Sequence, residues 1–119
     1  FLAEIRCYRD RLLGAIGMTG LYPIWGRDTR VLARAFVRDG FSGVVVCVDP
    51  RKLDKSFAGR NFDDALLDEL PPYVDPCGEN GEFHSFVFQA PLFKQTIRCT
   101  PGEIVLRDNF YFADLLPAP

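Results

Sequence analysis

Apolar positions near the start of the chain recur at helical intervals: Leu2, Ile5, Tyr8, Leu12 and Ile16, with Glu4, Arg6, Arg9 and Arg11 between them. That spacing predicts an amphipathic helix over residues 1–16, closed by Gly17. An apolar connector, MTGLYPIWG, follows and is interrupted by Gly20 and Pro23. Asp28 then stands where its side chain can accept an N–H of the first turn of a second helix, over residues 29–39, a cap worth about 1 kcal/mol. Val31, Leu32, Ala35 and Phe36 form the expected inner face of that helix, and Gly40 ends it. The run FSGVVVCVD comes directly afterwards. Its unbroken apolar character predicts a strand buried on both faces, stopped at Asp49-Pro50.

The pattern then changes. PRKLDKSFAGRNF is polar and reads as a loop, and Asn61 or Asp63 opens a short helix through Leu70 that Pro71-Pro72 terminates. Alternating, aromatic-rich stretches follow: HSFVFQ, KQTIRC and EIVLRDNFYFADLL, with Asp108-Asn109 as a hairpin turn and LLPAP as a frayed tail. The expected fold class is α+β: a helix–strand start followed by a mixed or antiparallel sheet. Residues 18–119 read as one domain. Residues 1–17 read as a bridge from a preceding domain, because the chain opens inside a helical pattern without a methionine.

Composition narrows the function classes. At 119 residues and 48% hydrophobic content the chain is long enough for a core. A net charge of −2 does not point to nucleic acid or an anionic membrane surface, and no apolar run is long enough to span a bilayer. Cys7, Cys47, Cys77 and Cys99 lie far apart, which excludes a CxxC or zinc-ribbon spacing. Reduced thiols in a cytoplasmic protein, with no metal site, are the expectation.

Three segments carry candidate chemistry. In CGENGEFH, Gly78 and Gly81 permit a tight loop that approaches a ligand closely, and Glu79 and Glu82 are spaced to aim at one point. The plainer alternative is a glycine-rich turn with solvated carboxylates ahead of a strand. His84 opens that strand, and Cys77 has no lysine or arginine beside it to activate a thiolate. In WGRDT, Arg27 precedes a helix N-terminus, where an anion is favoured. In LDKSFAGRNFD, Gly59 and Arg60 are a candidate clamp for phosphate or carboxylate. Neither a phosphate loop nor a dinucleotide fingerprint is present, so no nucleotide site of its own is expected.

GLYPIWGRDTRVLARAFVRDGFSGVVVCVD, KLDKSFAGRNFD and PCGENGEFHSFVFQAPLF, in that order, resemble the C-terminal half of the adenine nucleotide alpha hydrolases. These are the N-type (PP-loop) ATP pyrophosphatases, a family that includes the diphthine–ammonia ligases. The resemblance implies the acceptor-binding half of an ATP-dependent ligase forming AMP and pyrophosphate, which adenylates a carboxylate and then passes it to ammonia. It implies ATP with Mg²⁺ held mainly by an N-terminal domain of the same protein, so the fragment alone is expected to turn over no ATP. The family signature Glu-Gly-Gly-Glu-Phe/Tyr-Glu-Thr/Ser maps onto Glu79, Asn80, Gly81, Glu82, Phe83, His84 and Ser85. Asn80 replaces a glycine, and its tolerance of left-handed backbone is expected to preserve the turn. His84 replaces a glutamate and changes the charge there, which raises the expectation of an acceptor other than diphthine. By this resemblance Gly78 and Gly81 shape the loop, while Glu79, Glu82, Phe83 and Trp25 cradle a quaternary ammonium. Arg27 or Arg60 holds a carboxylate or the developing AMP phosphate. Apolar side chains on the first helix suit a partner domain or a homodimer. The alternative class is a non-catalytic binding or interaction module.

Overall fold

The Val-rich run becomes β1 (Ser42–Val48), an interior strand of the sheet, in a computed structural model that describes residues 2–118. Val44, Val45, Cys47 and Val48 on it are buried, as a strand covered on both faces requires. The other elements are α1 (Ala3–Ala15), α2 (Thr29–Arg38), α3 (Asp64–Glu69), β2 (Phe83–Gln89), β3 (Cys99–Arg107) and β4 (Phe110–Pro117). A single 3-10 turn, Lys55–Phe57, interrupts the polar loop after β1. The sheet order is β2-β1-β4-β3 and every pairing is antiparallel, so the chain is an α+β fold. Phe1 and Pro119, where the expected first helix begins and the expected frayed tail ends, lie outside the described residues.

Asp108 and Asn109 adopt φ of 48° and 66° and close a two-residue hairpin between β3 and β4. Positive φ at both central positions matches the right-handed twist of the strands. Two expectations change here. The segment KQTIRC is not a strand of its own, since β3 begins only at Cys99. β3 runs through Pro101-Gly102 as an edge strand with a register shift between Pro101 and Ile104, one of the few places a strand tolerates proline. The tail is also ordered further than expected, with Leu115, Leu116 and Pro117 paired to Pro101, Thr100 and Cys99.

α2 and α3 cover one face of the sheet. Asp28 caps α2 by accepting from the Val31 N–H at 3.0 Å, and Asp63, rather than Asn61, caps α3 through the Leu66 N–H at 2.9 Å. Asn61 instead forms an isolated bridge with Val44. Ala33 of α2, Leu66 of α3, Val45 and Val48 of β1, and Phe83 of β2 meet in the core. The inner face of α2 is rotated from the expected one. Val31 is exposed, while Ala33, Phe36 and Val37 face the core, because the helix carries two adjoining apolar stripes and the sheet takes only one. Arg34 on the polar side bridges to Asp64 at 2.5 Å and to Asp68.

α1 stands apart from this core and buries none of its residues. It rests on the connector: Tyr22 Oη donates to Asp10 at 2.9 Å, and the Arg6 guanidinium lies 4.6 Å from the Tyr22 ring and 4.7 Å from the Trp25 ring. Leu2, Ile5, Leu12 and Ile16 remain exposed.

Candidate functional site

The glycine-rich segment between α3 and β2 is a loop built on two carboxylates. Glu82, 3% exposed, accepts from the Asp75 N–H at 3.0 Å and from the Asn80 amide at 3.2 Å on one oxygen, and from the Asn80 N–H at 2.9 Å on the other. Burial opposes its ionisation, but the N–H groups of Asp75, Asn80 and Glu82 itself, with the Asn80 side chain, outweigh that and hold its carboxyl below the usual range. Asp75 extends the chain of contacts. Its Oδ1 accepts from the N–H groups of Cys77 (2.8 Å) and Glu79 (3.3 Å), and its Oδ2 accepts from Thr29 Oγ1 at 2.7 Å. The loop is thereby tied to the first turn of α2. The Lys52 ammonium donates to the Asn80 carbonyl and the Asp49 N–H to the Glu82 carbonyl, which fixes the loop against the end of β1. Asp49 is itself buried, and the Arg51 guanidinium beside it holds its carboxyl down at about 2.

The other wall of the site comes from the end of α2. Gly40, with φ of 85°, lets the Phe41 N–H reach the Phe36 carbonyl and the Gly40 N–H reach that of Val37. This is the Schellman ending, in which the residues on either side of the glycine come into apolar contact. Phe41 accordingly stacks on Phe36 with centroids 4.9 Å apart, and Phe62 meets Phe36 edge-on at 5.4 Å.

Loop and helix enclose a cleft of about 390 Å³ whose polar lining is Arg27, Asp39, Cys77, Glu79 and Ser85, with Asp39 already paired to Arg38 at 2.9 Å, set against an apolar wall that includes Phe36, Phe41 and Phe62. A cation and an anion over an aromatic wall suit a ligand that carries both charges: guanidinium for a carboxylate or phosphate, carboxylate and ring faces for an ammonium. A hollow of about 290 Å³ between α2 and α3 is lined by Arg30 and Arg34 with no carboxylate or aromatic ring, and its Arg34 is already paired with Asp64 and Asp68.

Of the residues expected from sequence, Arg27 and Glu79 thus meet in one cleft. Gly78, Gly81, Glu82 and Phe83 lie in its framework: the glycines turn the loop at φ of 68° and 76°, and Phe83 is buried with its ring 6.2 Å from Phe62. Asn80 does not take the left-handed backbone expected of it; its contribution is the amide bonded to Glu82. Trp25 packs with Tyr22 and Arg6 on the α1 side, at 6.1 Å from the Tyr22 ring. Arg60 is engaged by Glu69 (2.7 and 3.1 Å) and lies over Phe57, and Gly59 donates its N–H to the Val45 carbonyl. His84 pairs with Cys47 on β1, and strand alternation places it on the face opposite Phe83 and Ser85. Sequence reasoning missed Phe36, Phe41 and Phe62 as site residues. The pattern Phe36…Gly40-Phe41 was the available signal for two of them.

Cys77 lines the cleft but is a poor nucleophile. Burial pushes its thiol up to about 11, reinforced by Asp75 and Glu79, and the thiol donates to the Thr29 carbonyl at 3.3 Å. Near neutral pH less than about 0.1% of such a thiol is ionised. Brief treatment with iodoacetamide followed by mass spectrometry is expected to modify exposed Cys7 well before Cys77; equal rates would show that the loop opens.

The chain matches the family model described as Diphthamide synthase C-terminal domain over residues 28–114. It is 30% identical to the diphthine–ammonia ligase of Schizosaccharomyces pombe over 94 residues, 76% of this chain and 16% of that protein. It is 28% identical to the diphthine–ammonia ligase of Homo sapiens over 108 residues, 82% of this chain and 39% of that protein. The Danio rerio enzyme of the same name is 27% identical over 87% of this chain and 43% of its own length. The chain therefore spans less than half the length of these relatives, and the family-model match begins at the α2 cap. With the capped helix, the central strand and the carboxylate-held loop all inside the matched span, the chain belongs to the diphthamide synthase C-terminal domain family.

Proposed function

We propose that this chain is the acceptor-binding half of an ATP-dependent amide ligase. In the reaction the acceptor carboxylate attacks the α-phosphorus of ATP and expels pyrophosphate. Ammonia then attacks the acyl carbon, AMP departs with the bonding electrons, and the amide loses a proton. The observation that carries this reading is the meeting of Arg27 and Glu79 in one aromatic-walled cleft. Arg27 holds the acceptor carboxylate. Glu79 and the Phe36–Phe41–Phe62 wall hold a neighbouring cationic ammonium, a combination suited to diphthine or to a smaller carboxylic acid with an ammonium group.

ATP and Mg²⁺ fit this chain poorly. Among the described residues no cluster of His, Cys, Asp or Glu converges as a metal site, and the sequence has no phosphate-cradling loop. We assign both to an ATP-binding domain of the parent protein, with residues 1–17 as the bridge to it and the uncovered apolar side of α1 as its seat. A cytoplasmic setting suits such a ligase. Among the described residues no helix is long and apolar enough to cross a membrane.

The test is steady-state release of AMP and pyrophosphate by the parent protein, with ammonia and a panel of trimethylammonium-bearing carboxylic acids and diphthine-bearing protein as acceptors. Arg27→Met and Glu79→Gln are each expected to lower kcat/KM for the acceptor about 10- to 100-fold, the usual value of a charged hydrogen bond, and to leave ATP affinity unchanged. Unaltered acceptor kinetics in both variants, or a loss of ATP affinity instead, would remove the assignment. A non-catalytic module would release no AMP with any acceptor.

A further inference from the structure

The sheet has two edges, and they are treated differently. β2 is partly covered, because Ile97 in the following loop donates its N–H to the Phe88 carbonyl at 2.8 Å. β3 is open along Glu103–Arg107, and Ile104 and Leu106 on it are 51% and 60% exposed. Its first half is blunted by Pro101 and the register shift before Ile104. Its second half carries no such device, and an exposed apolar edge strand of this kind is a template for pairing.

The hairpin determines which backbone groups are free. In a two-residue hairpin the closing pair, Arg107 and Phe110, is hydrogen-bonded, and so is Val105 with Phe112. Ile104 and Leu106, opposite Ala113 and Tyr111, therefore direct their N–H and C=O groups away from β4. Among the described residues these outward groups have no backbone partner.

We infer that this edge pairs with the same edge of a second copy, antiparallel and centred on Val105. In that register Ile104 of each copy faces Leu106 of the other, and the outward backbone groups of both residues exchange hydrogen bonds. Glu103 of each copy then faces Arg107 of the other, so a twofold axis through Val105 yields two opposite-charge pairs from one strand. Shifting the centre by one residue in either direction loses that complementarity. The Arg107 guanidinium already pairs with Asp114 at 3.0 and 3.1 Å along the same sheet face, and its side chain stays 55% exposed, so Glu103 of the second copy joins an existing pair. The interface is isologous, as most homodimer interfaces are, and it joins the two sheets into one.

Sedimentation velocity of the chain from micromolar to submillimolar concentration tests this. The chain is expected to dimerise. Arg107→Glu and Glu103→Arg are each expected to weaken the dimer about tenfold or more, since each places two like-charge pairs face to face. An equimolar mixture of the two variants restores both pairs and is expected to dimerise again, which a merely misfolded variant cannot do. A monomer at all concentrations overturns the inference. So does a dimer unaffected by either substitution, which would place self-association on α1, and so does a mixture that stays monomeric.

Discussion

Replacing Glu82 by alanine is expected to cost about 3 kcal/mol of stability, the usual penalty for breaking a buried, hydrogen-bonded charge. The carboxylate satisfies the N–H groups of Asp75 and Asn80, and the Asn80 amide, at a buried position in the loop. Alanine leaves those donors without an acceptor. Glutamine keeps the shape but turns one acceptor into a donor aimed at a backbone N–H, and is expected to recover less than half of the loss. The pH dependence separates the two effects. Glu82 titrates below its ordinary value of 4.5 in the folded chain. Its contribution is therefore fully present above about pH 4.5 and disappears as the pH falls through the folded value. Urea unfolding at neutral pH and again near pH 3 should show the gap between the wild type and Glu82→Gln narrowing in acid. Asp49, held at about 2 by Arg51, is retained in both proteins, so its own loss as the pH falls from its ordinary 3.8 towards 2 cancels from the gap. A Glu82→Ala chain as stable as the wild type would show that the loop does not depend on its carboxylate.

That result bears on how the motif is to be read. The spacing of Glu79 and Glu82 in sequence presents them as an equivalent pair, yet the fold sends one into the cleft and the other into the protein. Asn80, two positions before Glu82, gives that carboxylate two of its bonds. The third comes from the N–H of Asp75, seven positions before it, which the sequence spacing of the two glutamates does not reveal. Local rules performed well where the cause was local. The Asp28 cap, the Gly40 stop, the doubly buried β1 and the Asp108-Asn109 turn each depend on a few neighbouring residues. They failed where a distant partner chose. Arg60 had the composition of an anion clamp, but Glu69 on α3 engages it, and Trp25 is drawn to Arg6 on α1. The aromatic wall lay between the two cases: Phe36 and Phe41 are joined by a local helix ending, whereas Phe62 arrives from the loop after β1.

Gly78→Ala is expected to be nearly as damaging as the loss of Glu82, at about 2–4 kcal/mol. Two costs add. Gly78 sits at φ of 68°, where an L-residue pays about 1 kcal/mol or more. A Cβ there would also lie 2.6 Å from the Phe83 carbonyl oxygen, far inside van der Waals contact. That oxygen belongs to backbone at the start of β2, and the Phe83 side chain is locked in the core, so neither side yields cheaply. Relief requires moving the turn, which strains the bonds from the Gly78 N–H to the Asp75 carbonyl and from the Gly81 N–H to the Gly78 carbonyl. Gly81 supplies the control. Its φ of 76° carries the same backbone cost, but the nearest atom to an added Cβ is the flexible Lys52 ammonium at 3.9 Å. Gly81→Ala should therefore lose only the backbone cost, about 1 kcal/mol. Thermal or urea unfolding of the two variants measures the difference directly. Equal losses would mean that β2 can retreat from the loop, and the wall that brings Glu79 to the cleft would then be softer than its hydrogen bonds imply.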